Sequence, residues 1–312
     1  MNTNYNLDEQ TEIFIKNGEF EEAINHINKN KLNINGFLPS GQRIISSLFN
    51  IYQNSDNKDI EVLKDNILFF HEKGIDLNQI GLDKDNAEPW LIKSLQLKDK
   101  ELVSWFLKSS EPDDRPWTSY QALLFACQND VPLEILRSLL EDPFINPNDL
   151  NEMEENSLFV AASGNDELAP NRVFSLLHHN VNRNETNKNL ENALFCAAQD
   201  GSSKTLKLLL TAGVDPNQLD IEGNTPISKI KLNDNMTEEE KEESKNKVKF
   251  LIEAGAFLDI KNYSGQSPKE NPLFKDWIEW MSEIENNIKA RMEKFMLSNN
   301  VKESLPSRKV KM

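Results

Sequence analysis

The sequence predicts an all-α fold, a solenoid of stacked helix–turn–helix units. Two observations predict it. Candidate helix starts recur at a fixed interval: Asn192 and Thr225 stand 33 residues apart, as do Glu88 and Gln121. Each interval carries two apolar stripes at helical spacing, and a Gly or Asn often follows the second, where a left-handed residue closes a helix. Repetition at a period of roughly 20–50 residues marks units that bury their apolar faces only against their neighbours.

The clearest unit runs from Asn192-Ala-Leu-Phe-Cys-Ala-Ala-Gln-Asp-Gly201 through Leu208-Leu-Leu-Thr-Ala-Gly-Val-Asp-Pro-Asn217 to Asp220-Ile-Glu-Gly-Asn-Thr-Pro226. Asn192 is expected to cap its first helix by accepting from orphan backbone N–H groups. Thr225 is expected to cap the next unit, with Pro226 at the first helical position, where a missing N–H costs nothing. Gly213 stops the second helix. These residues resemble the ankyrin repeat: Ala197, Ala198, Gly201, Leu209, Leu210, Gly213, Asp215, Asn217, Asp220, Gly223, Thr225 and Pro226 all match its pattern. That family's His after the Leu is absent, with Phe159, Phe195 and Ser228 in its place. Packing is expected to replace the polar tie in at least two repeats.

In chain order, Asp8–Lys16 and Glu19–Asn28 form a first helix pair hinged at Asn17-Gly18. This pair is expected to be an N-terminal cap over residues 1–37. Residues 41–78 read as a stretched repeat. One stripe is Ile44, Ile45, Leu48 and Ile51; the other is Ile60, Leu63, Ile67 and Leu68, with Gln53–Lys58 inserted between them. The unit opening at Glu88-Pro89 places Trp105 and Phe106 where a Leu-Leu pair belongs. The next, aligned at Gln121-Ala122, carries Ala126-Cys127 and Leu139-Leu140, and Asp142-Pro143 replaces its closing glycine. Asn156 opens a unit 36 residues before Asn192; the extra residues fit Gly164–Asn171, and Asn180 stands where Gly213 does. From Thr225 to Ser267 is 42 residues, with the surplus in Leu232–Ser244. There Thr237-Glu-Glu-Glu240 reads as a capping box feeding a long helix that ends at Gly255. The solenoid is thus expected over 38–268. Beyond it, Phe274, Trp277, Met281, Ile284, Ile288, Met292 and Phe295 share one helical face. They predict an amphipathic capping helix over 269–297, followed by a disordered tail at 298–312.

Composition narrows function. With 35 basic and 51 acidic residues the net charge is −16, a field that repels phosphate backbones and argues against nucleic-acid binding. Cys127 and Cys196 form no disulfide or metal pattern, which fits a reducing compartment. Residues 1–20 lack a basic start and apolar core, so no cleavable signal peptide is expected. No run of about 18 apolar residues spans a membrane. The expected address is cytoplasmic, or a host cell reached without a cleavable signal.

No catalytic set emerges. His26, His71, His178 and His179 lack cysteine partners for a metal, and His178-His179 suit the negative end of a helix. Cys127 is expected in the core and Cys196 partly exposed. No phosphate-binding loop, dinucleotide fingerprint or kinase signature is present. The expectation is a non-enzyme without cofactor or metal. The alternative is an enzyme with its site hidden in the divergent ends, 1–80 or 269–312.

The resemblance implies protein–protein recognition through fingertip loops and the concave face of the first helices. It extends to an effector delivered into a eukaryotic host by an intracellular bacterium, which an Asn-, Lys- and Ile-rich composition suits. In the family, residues flanking the turn glycine before the Thr-Pro step project as fingertips. Here these are Ile221, Glu222 and Asn224. Alignment by the caps adds Trp117, Thr118 and Tyr120; Glu152, Met153 and Glu155; Lys188, Asn189 and Glu191; and Tyr263, Ser264 and Gln266. Trp117, Tyr120, Met153, Ile221 and Tyr263 make this row apolar, as interface hot spots are. Acidic neighbours are expected to steer a partner with a basic surface.

Overall fold

The computed structural model describes residues 7–40, 42–55, 59–75, 81–83, 86–88, 90–109, 116–233 and 235–298. Among them the fold is helical apart from one short antiparallel hairpin, β1 (Gly81–Asp83) with β2 (Asn86–Glu88). The chain divides into two compact units, residues 1–149 and 150–312.

Among its described residues the first unit holds four helix pairs. α1 (Glu9–Asn17) and α2 (Phe20–Asn30) turn at Gly18, whose φ of 76° only glycine adopts without strain. α3 (Ile44–Asn54) and α4 (Ile60–Glu72) follow, then α5 (Trp90–Gln96) with α6 (Lys100–Ser109), and α7 (Pro116–Gln128) with α8 (Leu133–Glu141). Ile44, Ile45, Leu48, Leu63 and Ile67 are buried, whereas Ile51 and Leu68 at the ends of their stripes are exposed. Phe49 of α3 stacks on Phe106 of α6, with ring centroids 6.4 Å apart. Cys127 is buried in the core, as its place beside Ala126 predicts. The segment 56–58 within the expected insertion lies outside the described residues.

The second unit is the more regular. An inner row comprises α9 (Ser157–Ser163), α11 (Ala193–Gln199) and a 3-10 turn at Pro226–Lys229. An outer row comprises α10 (Ala169–His178), α12 (Ser203–Thr211) and α13 (Glu238–Glu253). Each inner helix packs on the next inner one and on its own partner: α9 on α11 and α10, α11 on α12. Small residues permit this closeness. Ala161, Ala162, Ala197 and Ala198 are fully buried, and a Cβ added to Gly201 would lie 2.1 Å from the Ala162 carbonyl oxygen. The loop 164–168 between α9 and α10 absorbs the surplus of that repeat, and Asn180 takes φ 59° where Gly213 takes 85°. Thr237 and Glu240 form the expected capping box at the start of α13. α14 (Ile278–Ser298) packs against α13, with Phe274 and Met281 buried.

Three expectations are corrected or extended. The first concerns Thr225, which caps nothing. Its buried hydroxyl has no hydrogen-bond partner, and only a four-residue 3-10 turn follows it. Ile230 is already extended, so the inner helix of that repeat is never completed. The second concerns the polar tie: Phe159 and Phe195 are buried in its place, and a carboxamide three residues upstream adds a further polar tie. The Asn192 side chain accepts from the Leu194 N–H through Oδ1 and donates through Nδ2 to the Asp215 carbonyl. Asn156 does the same between Leu158 and the Asn182 carbonyl. One carboxamide therefore caps an inner helix and binds the loop closing its own repeat. The third concerns α7, which starts at Pro116 and not at Gln121. A proline at the first helical position loses no hydrogen bond, and the helix extends upstream of the aligned cap.

These contacts make opposite predictions for two neighbouring caps. Asn192→Ala should lower stability by about 1–2 kcal/mol, since it removes a cap and the tie to the Asp215 carbonyl. Thr225→Val should be neutral or stabilising, because it replaces an unpartnered hydroxyl. Urea midpoints of the two variants check both.

Candidate partner-binding surface

Four loops of the second unit share one construction. They span 151–155, 187–191, 220–224 and 262–266, each opening on Asn or Asp: Asn151, Asn187, Asp220 and Asn262. In every loop the first residue's Oδ1 accepts the N–H groups two and four positions on. Asn187 takes them from Asn189 and Glu191 at 2.9 and 3.0 Å, and Asp220 from Glu222 and Asn224 at 2.9 and 2.8 Å. Asn151 binds Met153 and Glu155, and Asn262 binds Ser264 and Gln266, in the same way. The N–H of the first residue also donates to the carbonyl of the fifth, at 2.8–3.0 Å throughout. A short polar side chain that bonds its own backbone closes such a turn without help from secondary structure.

Successive loops are joined through their backbones in a constant register. Lys188 N–H donates to the Met153 carbonyl, Ile221 to Asn189 and Tyr263 to Glu222, at 2.9–3.0 Å. The four loops therefore present a continuous edge. Its exposed apolar side chains are Met153, Leu190, Ile221 and Tyr263, the last 78% exposed.

The expected site residues fall into three groups. Met153, Ile221, Glu222 and Tyr263 are exposed on this edge, and Gln266 is exposed beside it. Glu155 and Asn224 are half-buried and engaged within the scaffold. Glu155 accepts from Asn151 and Asn187, and Asn224 bonds Asp220, Glu222 and Asn262. Trp117 and Tyr120 lie in the first turns of α7, not in a hairpin loop, and belong to the other unit. Their side chains are outside the described residues.

Leu190 escaped the sequence reading. It takes φ 60° at the fourth loop position, where Glu154 takes 62° and Gly223 and Gly265 take 80° and 79°. A leucine held left-handed costs about 1–2 kcal/mol, yet this one is 50% exposed and buries little in return. Aligning it with the two glycines would have singled it out. Backbone strain at an exposed apolar residue is the kind of feature that points to a binding role.

Beneath the edge lies an ion-paired anchor. Lys229 Nζ sits 2.9 Å from Asp220 and 3.5 Å from Glu191, tying two loops to the inner row. Burial pushes the Asp220 carboxyl upward, but the Lys229 ammonium and the Asn224 and Glu222 N–H groups together hold it below its ordinary 3.8. Cys196, half-buried on α11, behaves oppositely. Burial pushes its thiol up to about 12, reinforced by Glu155, Glu191 and Asp200. Among the described residues no group of three or more His, Cys, Asp and Glu is placed to hold a metal ion.

A family model described as "Ankyrin repeat" matches residues 189–221, from inside one loop, through α11 and α12, to the next. Residues 189–221 are an ankyrin repeat. The ankyrin unit so matched is the one whose geometry recurs through the second unit. A curated protein of Plasmodium falciparum (isolate 3D7), named "Putative E3 ubiquitin-protein ligase protein PFF1365c", is 28% identical over 247 residues. That similarity covers 79% of this chain and about 2% of the length of the Plasmodium protein. No described helix of the chain is long and apolar enough to cross a membrane.

The anchor predicts a pH dependence. With the Asp220 pKa depressed in the folded state, its contribution is complete above about pH 4 and is lost as pH falls further. Asp220→Asn should flatten the acid limb of the stability profile below pH 4. Thermal melts from pH 2 to 7 check it. Leu190→Gly should leave stability within about 1 kcal/mol of wild type, because relief of left-handed strain offsets the greater freedom of an unfolded glycine. Urea denaturation measures the difference.

Proposed function

We propose that this ankyrin-repeat chain is a non-catalytic module that binds another protein through the edge formed by its four loops and the adjoining inner face of α9 and α11. The observation that carries the reading is Leu190, an exposed leucine kept in a left-handed conformation that two sister loops give to glycine. The exposed half of this leucine is apolar surface open to a partner. Met153, Ile221 and Tyr263 extend the apolar row to either side. Glu152, Glu154 and Glu222 stand exposed among them, which favours a partner with a basic surface.

Two observations support recognition over catalysis. Cys127 is buried, and the Cys196 thiol is held far above neutrality by burial and three carboxylates; neither offers the thiolate that nucleophilic chemistry needs. The ligase activity in the Plasmodium protein's name is not carried over to this chain. A narrower form of the reading places the module in a eukaryotic host cell as an effector of an intracellular bacterium, on the strength of its Asn-, Lys- and Ile-rich composition.

Affinity capture with the whole chain as bait tests the proposal. The double variant Leu190→Gly, Tyr263→Ala should lose its specific partner by tenfold or more in affinity, as loss of interface anchors does, with an unchanged melting temperature. Capture of the same partner at equal strength would refute the edge as the binding surface.

A further inference from the structure

The third member of the inner row stops at Lys229, and a cavity of about 980 Å³ lies beside the break. Its walls are the C-terminal ends of α9 and α11, the turn 200–202, the segment that follows Lys229, and one face of α13 from Glu239 to Lys247. The loop edge precedes α9 and α11, so the cavity stands at the opposite end of those helices. Ligand pockets of this size are mostly apolar. Here, among the described residues, Met236 supplies the apolar side chain and the other side chains on the walls are polar or charged.

Two features set what the cavity can hold. The first is Lys247, only 7% exposed. Its Nζ donates to the Ala198 carbonyl at 3.1 Å, placing a cation at the negative end of α11. An ammonium has three N–H donors, and among the described residues this one has no second acceptor. Burial pushes its pKa down, although Glu243 and Asp200 oppose the fall. A buried donor without an acceptor is costly, so the cavity lacks an oxygen beside Lys247.

The second feature is charge. Five carboxylates, Asp200, Glu239, Glu240, Glu242 and Glu243, stand on the walls against Lys231 and Lys247. Three of the acids are engaged: Glu243 accepts the Ser203 N–H and hydroxyl, Glu240 closes the capping box with Thr237, and Asp200 pairs with Lys231. Glu239 and Glu242 stand three residues apart, so they are neighbours on α13. Both are exposed and, among the described residues, have no partner. The open end of the cavity therefore lacks a cation.

We propose that this cavity binds a basic peptide segment, with a main-chain carbonyl on the Lys247 ammonium and an Arg or Lys side chain between Glu239 and Glu242. A peptide brings an oxygen acceptor and a cation on one short piece of chain. A polyamine brings only the cation, and an acidic ligand meets like charge. The site shares no residue with the loop edge and does not rest on the partner binding proposed there.

Fluorescence polarisation with the whole chain tests the assignment. The probe is an end-blocked, labelled Gly-Arg-Gly-Arg-Gly peptide, and the competitors are its unlabelled form, Gly-Glu-Gly-Glu-Gly and spermidine. Binding should saturate and weaken with salt. The unlabelled basic peptide should compete roughly tenfold better than spermidine, and the acidic peptide should not compete. Glu239→Gln with Glu242→Gln should weaken binding about fivefold, as loss of rim charge does, with an unchanged circular-dichroism melt. Lys247→Met should erase the peptide's lead over spermidine; if that variant unfolds, the wild-type competition decides. Leu190→Gly, Tyr263→Ala should bind the probe as wild type does. No binding, equal competition by spermidine, unaltered affinity of the glutamine pair, or loss of binding in the loop-edge variant overturns the proposal.

Discussion

The second unit depends on one recurring interaction, a side-chain oxygen of Asn or Asp that accepts two N–H groups of its own loop. Asn151, Asn187, Asp220 and Asn262 each close five residues in this way. Because the closure is local, each loop keeps its shape without a regular sheet. The loops then offer matching backbone groups, and the N–H-to-carbonyl bonds between neighbours follow. Buried polar atoms that were not so paired would cost about 1–3 kcal/mol each.

A second carboxamide carries the same economy into the helices. Asn156 and Asn192 cap α9 and α11 with one atom and hold the closing loop of the same repeat with another. Where Thr225 takes this place it has no amide to donate, its hydroxyl is left without a partner, and the inner helix shortens to a 3-10 turn. The outer helix compensates. α13 starts from its own capping box and runs 16 residues, long enough to support both α12 and α14. One stack thus carries two different surfaces at opposite ends of its inner helices: an apolar row among acids, and a polar cavity where the third inner helix stops short.

Much of the fold was legible in residue spacing. Caps at Asn156 and Asn192, the left-handed Asn180, the capping box at Thr237 and the buried pairs Ala161-Ala162 and Ala197-Ala198 all follow from rules that act within a few residues. Part of the candidate surface was legible too, since Met153 stands three residues, and Ile221 and Tyr263 four residues, before their caps. Alignment by caps failed at Trp117 and Tyr120. It assumed that a loop precedes Gln121, whereas Pro116 starts α7 five residues earlier. It also passed over Leu190, because the fourth loop position, where Gly223 and Gly265 stand, was left out of the row.

What the sequence determined by itself was the local grammar: which residues begin helices, which end them, and which faces are apolar. Those choices are set by groups a turn apart. What only the tertiary structure decided was how the remaining valences are spent. The Asn192 amide found the Asp215 carbonyl 23 residues away, Lys229 bridged two loops, and Tyr263 joined the edge through Glu222. Such pairings depend on distances between segments that only the packed stack fixes. Glu155 and Asn224 illustrate the divide. By sequence they belong to the exposed row, yet in the fold each is drawn half-buried between neighbouring loops, because each accepts from the side-chain amide of the next loop's Asn.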